Sequence, residues 1–125
     1  GVQTCALPIL TMRWGGVLLA AFIVFHLFHF TAGLVGFQPG QFEHLMVYQN
    51  VVAGFSVLPI ALFYIVAMIA LCLHLDHGIW SALQTLGWVT TDNTKSVRTI
   101  SRIIALLIFA GFISVPISVL AGWVR

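Results

Sequence analysis

Long apolar stretches separated by short polar segments dominate the amino-acid sequence. There are three of them, and each exceeds the roughly 20 residues that a helix needs to cross a bilayer. The pattern predicts an all-α fold, a transmembrane helical bundle whose three spanning helices cover about 13–35, 51–86 and 97–124. We group these helices in one transmembrane domain over 10–125.

The two polar segments between these helices carry turn and capping signals. Residues 36–50 contain a Pro-Gly pair, which marks a turn. Residues 87–97 contain the run TTDNTKS, whose threonine, aspartate and asparagine side chains can cap the following helix. Pro59 and Pro116 lie inside the second and third stretches, and membrane helices tolerate such prolines, often as kinks.

The composition indicates a lipid environment. The 125 residues are 61% hydrophobic and 6% charged, whereas soluble domains are typically about 45–50% apolar and about 25% charged. Lipid is therefore the solvent for most of the surface. The formal net charge of +2 is small and the basic residues form no cluster, so nothing indicates a nucleic-acid partner. The two cysteines show no metal-ligand spacing.

The positions of lysine and arginine predict the orientation of the helices, because cytoplasmic loops carry an excess of these residues. Four of the five precede the first helix or surround the loop before the third: Arg13, Lys95, Arg98 and Arg102. Residues 36–50 contain none. We therefore expect a multi-pass protein with the 87–97 loop in the cytoplasm and the 36–50 loop outside. Arg125 is the exception, at the outer end of the third helix.

The first nine residues read GVQTCALPI and do not begin with methionine. The codons GGA GTT CAG ACG TGT GCT CTT CCG ATC would encode them, and that nucleotide sequence looks like a common sequencing-library adapter. We therefore expect residues 1–9 to be an assembly artefact and not a signal peptide, and we exclude them from fold reasoning. Resequencing the locus tests this, since a genomic reading frame that encodes GVQTCALPI would rule it out.

Two histidine pairs interrupt the apolar stretches, His26 with His29 and His74 with His77. The i, i+3 spacing puts both rings of a pair on roughly the same side of a helix. An interhelical hydrogen bond often explains one intramembrane histidine. Two pairs with glycines close by indicate instead a buried cofactor that needs imidazole, and haem is the leading candidate. Zinc takes about four ligands, and no carboxylate or thiolate lies at membrane depth near His26.

The two pairs lie at different predicted depths. His26 is roughly 20 Å along a helix from Arg13, which puts it in the outer half of a membrane core about 30 Å thick. The second helix descends from outside, and His74 is about 35 Å along it from Val51, near the inner surface. One haem could not accept a ligand from both, so we expect two haems, each with a second axial ligand from elsewhere.

Four runs of the sequence support a family assignment: RWGGVLLAAFIVFHLFHFTAG, NVVAGF, FYIVAMIALCLHLDHGIWSALQTLGW and TDNTKSVR. In this order they resemble the cytochrome b membrane subunit of succinate dehydrogenase/fumarate reductase, of the single-subunit type with five helices and two haems b. Carried over by position, the resemblance implies axial haem ligands at His26 and His74. His29 and His77 are then neighbours that contact a haem edge or propionate, and they stay open as alternative ligands.

In that family the helices supply four axial histidines, and the three stretches here resemble the last three helices. The resemblance therefore implies that this chain supplies one of the two axial ligands of each haem. It also implies that two further helices are missing. It implies electron transfer between an iron–sulfur subunit and a quinone in a bacterial inner membrane. Dicarboxylate chemistry belongs to a flavoprotein partner, so this chain is expected to be a non-catalytic electron-transfer subunit of an oxidoreductase.

Polar residues near the inner ligand have further candidate roles. The candidate cofactor or quinone contacts just past His74 are Trp80, Ser81 and Gln84. Arg13, Lys95, Arg98 and Arg102 are expected to pair with haem propionates or with acidic partner surfaces, unless they serve orientation alone. Asp76 is expected either to orient an imidazole or haem edge, or to be a helix-end charge at the water interface.

Two other functions stay open at this point. One is a cytochrome b subunit of another quinone-linked enzyme, such as a hydrogenase or formate dehydrogenase, although the order and spacing of the runs argue against it. The other is a haem-free membrane anchor or a proton carrier that uses buried histidine. His44 sits beside Glu43 in the outer loop and is expected at the surface, not as a ligand.

Overall fold

The structure is a computed structural model. It describes the backbone of residues 2–125 and the side chains of residue 10 and of residues 12–125. The side chains of residues 1–9 lie outside this described part. The interpretation of these residues as an adapter artefact stays a prediction.

Four α-helices and one π-helical turn make up the described chain. They are α1 (Val2–His26), the π-turn (Leu27–Thr31), α2 (Val47–Phe55), α3 (Leu58–Thr85) and α4 (Thr94–Leu120). Three segments are long and apolar enough to cross a membrane: Met12–Thr31, Leu58–Thr85 and Thr94–Leu120. The predicted all-α fold with three spanning helices is confirmed.

The helix α3 lies at the centre of the bundle and packs against α1 on one side and α4 on another. Ala61 and Ala105 are almost completely buried, and such small residues let membrane helices approach closely. Around them lies an apolar core, which includes Phe22 of α1, Phe55 of α2, Tyr64 and Met68 of α3 and Val119 of α4. The short helix α2 therefore belongs to the core of the bundle.

The second apolar stretch differs from its prediction as one helix over about 51–86. The helix α2 ends at Phe55, Val57 has extended backbone angles (φ −84°, ψ 105°), and α3 begins at Leu58. Pro59 stands in the first turn of α3, where its missing N–H costs no helical hydrogen bond. Pro116, in contrast, lies buried inside the continuous helix α4.

The outer loop is tied to the start of α2 and to the end of the chain. The Asn50 side chain donates a hydrogen bond to the Glu43 carbonyl (2.7 Å) and accepts one from the Glu43 N–H (3.1 Å). The Tyr48 hydroxyl donates to the Arg125 carbonyl oxygen (2.8 Å). These bonds put the 36–50 loop and the C-terminal end of α4 at the same end of the bundle, as expected for alternating helices.

Candidate functional site

The histidine pair on the first span lies where α1 changes into the π-turn. The π-turn is closed by the Ala32 N–H, which donates to the Leu27 carbonyl at 2.9 Å. Such turns are rare and occur frequently at functional sites. His26 is the last residue of α1, and His29 lies within the π-turn. The local backbone therefore sets the directions of both imidazoles.

His26 faces a cavity of about 690 Å³ at the end of the bundle that carries the 36–50 loop, which is the predicted outer end. All four helices contribute to its lining, with aromatic walls from Phe22, Phe30, Phe55 and Tyr64. Cofactor pockets are typically about 300–1,000 Å³ and mostly apolar with a few polar groups. His26 is exposed to this space, and its Nδ1 atom lies 3.3 Å from the Tyr64 hydroxyl.

His44 also lines this outer cavity, from the loop before α2. Its side chain is exposed, as expected for a surface residue. Its ring lies edge-on to Phe42, with 5.3 Å between the ring centroids. Nothing in the sequence associates His44 with His26, because the chain returns to this space only through the fold of the outer loop.

His29 is completely buried and does not line the cavity. Its Nδ1 atom lies 2.9 Å from the Tyr64 hydroxyl, and its ring stacks on Phe37 with 4.9 Å between centroids. On the other side it is enclosed by the backbones of Gly36 and Gly54. Its Nε2 atom has no hydrogen-bond partner among the described residues. The structure thus separates the pair into a cavity-facing and a core imidazole.

Replacing Gly36 with alanine is expected to destabilise the protein more than the same change at Gly40. Both glycines have positive φ, +83° and +80°, so each alanine would cost about 1–2 kcal/mol of backbone strain. Only at Gly36 would the new Cβ meet His29, at 2.8 Å from its Cδ2 and Nε2 atoms. Such overpacking costs about 1–3 kcal/mol more. Denaturant titration in detergent measures both, and equal losses would contradict the enclosure of His29.

The second pair occupies the C-terminal half of α3, toward the predicted inner end of the bundle. The His74 ring packs against two glycines of α1: a Cβ on Gly15 would lie 3.5 Å from its Nδ1 atom, and one on Gly16 would lie 3.7 Å from its Cε1 atom. This Nδ1 atom is buried without a hydrogen-bond partner among the described residues. His77 is half-buried. The start of the first span therefore contacts His74 through Gly15 and Gly16. Arg13 itself is exposed.

An apolar cavity of about 530 Å³ lies next to this contact, between α1 and α3. Its lining includes Trp14, Gly15 and Leu18 of α1 and Ala70 and Leu73 of α3. Gly15 is therefore shared between the wall of this cavity and the surface on which His74 rests. The inner histidine, like His26, has a space lined by apolar groups beside it.

The two imidazoles are well separated along the bundle. His26 contacts Tyr64 of α3, and His74 contacts Gly16 of α1. The interval from Gly16 to His26 on α1 and the interval from Tyr64 to His74 on α3 are each about 15 Å at the rise of an α-helix. The two imidazoles therefore lie at two different depths of the bundle, too far apart to contact one another.

Charged residues at the inner end join α3 to α4. Asp76 lies 3.6 Å from the Arg98 guanidinium and 3.8 Å from that of Arg102. Arg98 also lies over the Trp80 ring, 5.4 Å from its centroid, in a cation–π arrangement. In the structure Asp76 therefore faces the arginines of α4, and both arginines have a partner within the chain.

Replacing Asp76 with asparagine is expected to lower the free energy of unfolding by about 1 kcal/mol, because two arginines lose their carboxylate at a half-buried position. Asp92, which is exposed in the loop before α4, provides the matched control, and Asp92→Asn should change stability little. Denaturant titration in detergent at low and high salt measures both. A loss at Asp76 no larger than at Asp92 would contradict a stabilising role for the cluster.

The remaining predicted site residues are at the inner end of α3. Trp80 and Ser81 are half-buried and Gln84 is exposed. The Ser81 carbonyl accepts a hydrogen bond from the Thr85 hydroxyl at 2.9 Å. The described residues contain no group of three or more histidine, cysteine, aspartate or glutamate side chains that could hold a metal ion.

Sequence reasoning did not identify Tyr64, which is buried and contacts both outer histidines. It was one aromatic residue among many in an apolar stretch. The one signal available was its type, because a tyrosine hydroxyl buried at membrane depth needs a hydrogen-bond partner.

Three membrane-spanning helices that carry imidazoles at two depths define a multi-pass helical membrane protein. Comparison with protein families matches residues 3–115 to the succinate dehydrogenase/fumarate reductase transmembrane subunit. The chain belongs to this family and is a transmembrane anchor subunit of such a complex, as its sequence resemblance indicated. The comparisons with curated proteins and with solved structures give no match.

Proposed function

We propose that this subunit holds two haems b and passes electrons between the iron–sulfur subunit of the complex and a membrane quinone. The observation that carries the proposal is the pair of imidazoles at two depths, each beside an apolar cavity. His26 is the proposed axial ligand at the outer site, and His74 is the proposed axial ligand at the inner site.

The geometry of the outer pair favours His26 over His29 as the ligand. His26 lines the large cavity and is exposed to it. His29 is fully buried, and Gly36 and Gly54 close the space around its Nε2 atom. An iron at His29 would therefore require the loop and α2 to move away, whereas an iron at His26 would enter existing space.

The inner site fits an imidazole ligand for a different reason. Glycine at positions 15 and 16 of α1 leaves the ring of His74 room between two closely packed helices. The adjoining cavity presents almost only apolar surface, which suits the face of a macrocycle. His77 stays the alternative ligand, one turn further along α3.

Haem, when bound, supplies a one-electron carrier whose potential depends on axial ligands, hydrogen bonds and burial. The chain's own residues then have three tasks. His26 and His74 fix two positions along the electron path, about 15 Å apart by helix rise. The aromatic and aliphatic walls give both positions mostly apolar surroundings. Asp76 with Arg98 and Arg102 holds α3 to α4 at the inner end, the end that would face the iron–sulfur partner.

The spectrum of the complete complex tests the proposal. The subunit should be purified with its partners, and a reduced-minus-oxidised spectrum should show a cytochrome b α-band corresponding to two haems per subunit. Succinate or a quinol should reduce this band. Co-purification of flavoprotein and iron–sulfur subunits without any α-band would support a haem-free anchor instead and would rule the proposal out.

A further inference from the structure

One hydroxyl group serves both histidines of the outer pair. The Tyr64 oxygen lies 3.3 Å from His26 Nδ1 and 2.9 Å from His29 Nδ1. Tyr64 is 5% exposed and belongs to the apolar core, so these bonds form largely away from bulk solvent. Its ring is held edge-on by Phe22 and Phe55, at 5.0 and 4.9 Å between centroids. The hydroxyl is thus a fixed point between two imidazoles.

The protons of this group can be assigned by counting them. A tyrosine hydroxyl has one proton to donate and can also accept, and a neutral imidazole has one N–H and one bare nitrogen. A histidine that gives Nε2 to a metal must carry its proton on Nδ1, and that N–H must find an acceptor. At His26 the acceptor within reach is the Tyr64 oxygen, so the hydroxyl proton of Tyr64 is left for His29 Nδ1.

We propose that Tyr64 is the positioning residue of the outer site: it accepts a hydrogen bond from His26 Nδ1 and donates its own to His29 Nδ1. This holds His26 in the tautomer whose Nε2 is free for an iron in the cavity. The inference rests on the proposed function of His26 as a ligand. His29, from inside the core, fixes the rotation of the Tyr64 hydroxyl.

The arrangement serves to orient a ligand and not to move protons. A relay needs an onward acceptor, and the far nitrogen of His29, Nε2, has none among the described residues. Gly36 and Gly54 also close the space around it. The chain of hydrogen bonds therefore ends at His29, and its effect is to stiffen the group that contacts the iron.

The test is Tyr64→Phe in the assembled complex, with Tyr48→Phe as the matched control. Each change removes a single hydroxyl, and the two positions are the only tyrosines in the sequence. Loss of the partner that orients a metal-bound histidine typically lowers metal affinity about 10- to 100-fold. We expect Tyr64→Phe to weaken haem retention at one site to this degree, and to shift the midpoint potential and low-spin EPR signal of that haem alone. Tyr48→Phe should leave both haems unchanged.

Two variants of His29 test the direction of the chain. His29→Gln retains an acceptor for the Tyr64 hydroxyl, and His29→Leu removes it. Because His29 acts through Tyr64, we expect His29→Leu to shift the same haem potential, His29→Gln to restore part of it, and Tyr64→Phe with His29→Leu to be no worse than Tyr64→Phe alone.

The outcomes separate this inference from the function on which it rests. Unchanged haem retention, potential and EPR signal in Tyr64→Phe would overturn it, as would an equal shift of both haems, which indicates a general packing defect. If His26→Ala keeps both haems while Tyr64→Phe shifts one, the ligand assignment fails. If His26→Ala loses a haem and Tyr64→Phe changes nothing, only the positioning role fails.

Discussion

Replacing His26 with alanine is expected to remove one haem b from the assembled complex and to leave the other in place. His26 faces the outer cavity and contributes its proposed axial nitrogen, so its loss leaves the iron there without that ligand. The inner site about 15 Å away shares no ligand with it. Haem content by pyridine haemochromogen should fall from two to one per subunit, and the α-band should lose one of its two components.

His44→Ala is the matched control for this experiment, because His44 lines the same cavity and is also exposed. We expect this variant to retain both haems. Retention of both haems in His26→Ala would contradict the proposed ligand. Loss of one haem in His44→Ala, with both retained in His26→Ala, would assign the ligand to His44 in the outer loop instead.

Replacing Gly15 with leucine is expected to abolish the inner haem without changing any proposed ligand. The position where its Cβ would lie is 3.5 Å from His74 Nδ1, an ordinary van der Waals distance. Alanine should therefore fit, whereas the branched end of leucine needs the space that the imidazole and the adjoining cavity occupy. Either the ring turns away or α1 separates from α3, and overpacking of this kind costs about 1–3 kcal/mol.

The graded series makes this prediction specific. Gly15→Ala should keep both haems, and Gly15→Leu should keep only the outer one, as measured by haem content and by redox titration of the α-band. Gly111→Leu on α4 is the control for a bulky residue in a spanning helix, because a Cβ there meets nothing within 4 Å. An unchanged inner haem in Gly15→Leu would show that His74 does not depend on this contact.

The number of spanning helices could be predicted from the sequence because it depends on length and apolar composition alone. The break between α2 and α3 could not be predicted in this way. Pro59 and Pro116 are both surrounded by apolar residues, yet one stands in the first turn of α3 and the other lies inside α4. The difference depends on how α2 packs, since α2 ends at Phe55 with that side chain buried in the core.

The histidines of the candidate site could be identified from the sequence. Their arrangement in space could be predicted only in part. Spacing along one helix places His26 and His29 on one side, but it cannot show which one faces a cavity. That depends on the π-turn and on the return of Gly36 and Gly54 over His29. The role of Tyr64 was hidden for the same reason, because it contacts the histidines across the interface between two helices.

The contacts between α1 and α3 have one further consequence, for the alignment of the two helices. The interval from Gly16 to His26 on α1 contains as many residues as the interval from Tyr64 to His74 on α3. A slide of α1 along α3 by one turn, about 5.4 Å, would therefore separate His26 from Tyr64 and Gly16 from His74 together. Both sites share a single helix register, so anything that holds this register at one depth preserves the geometry at the other.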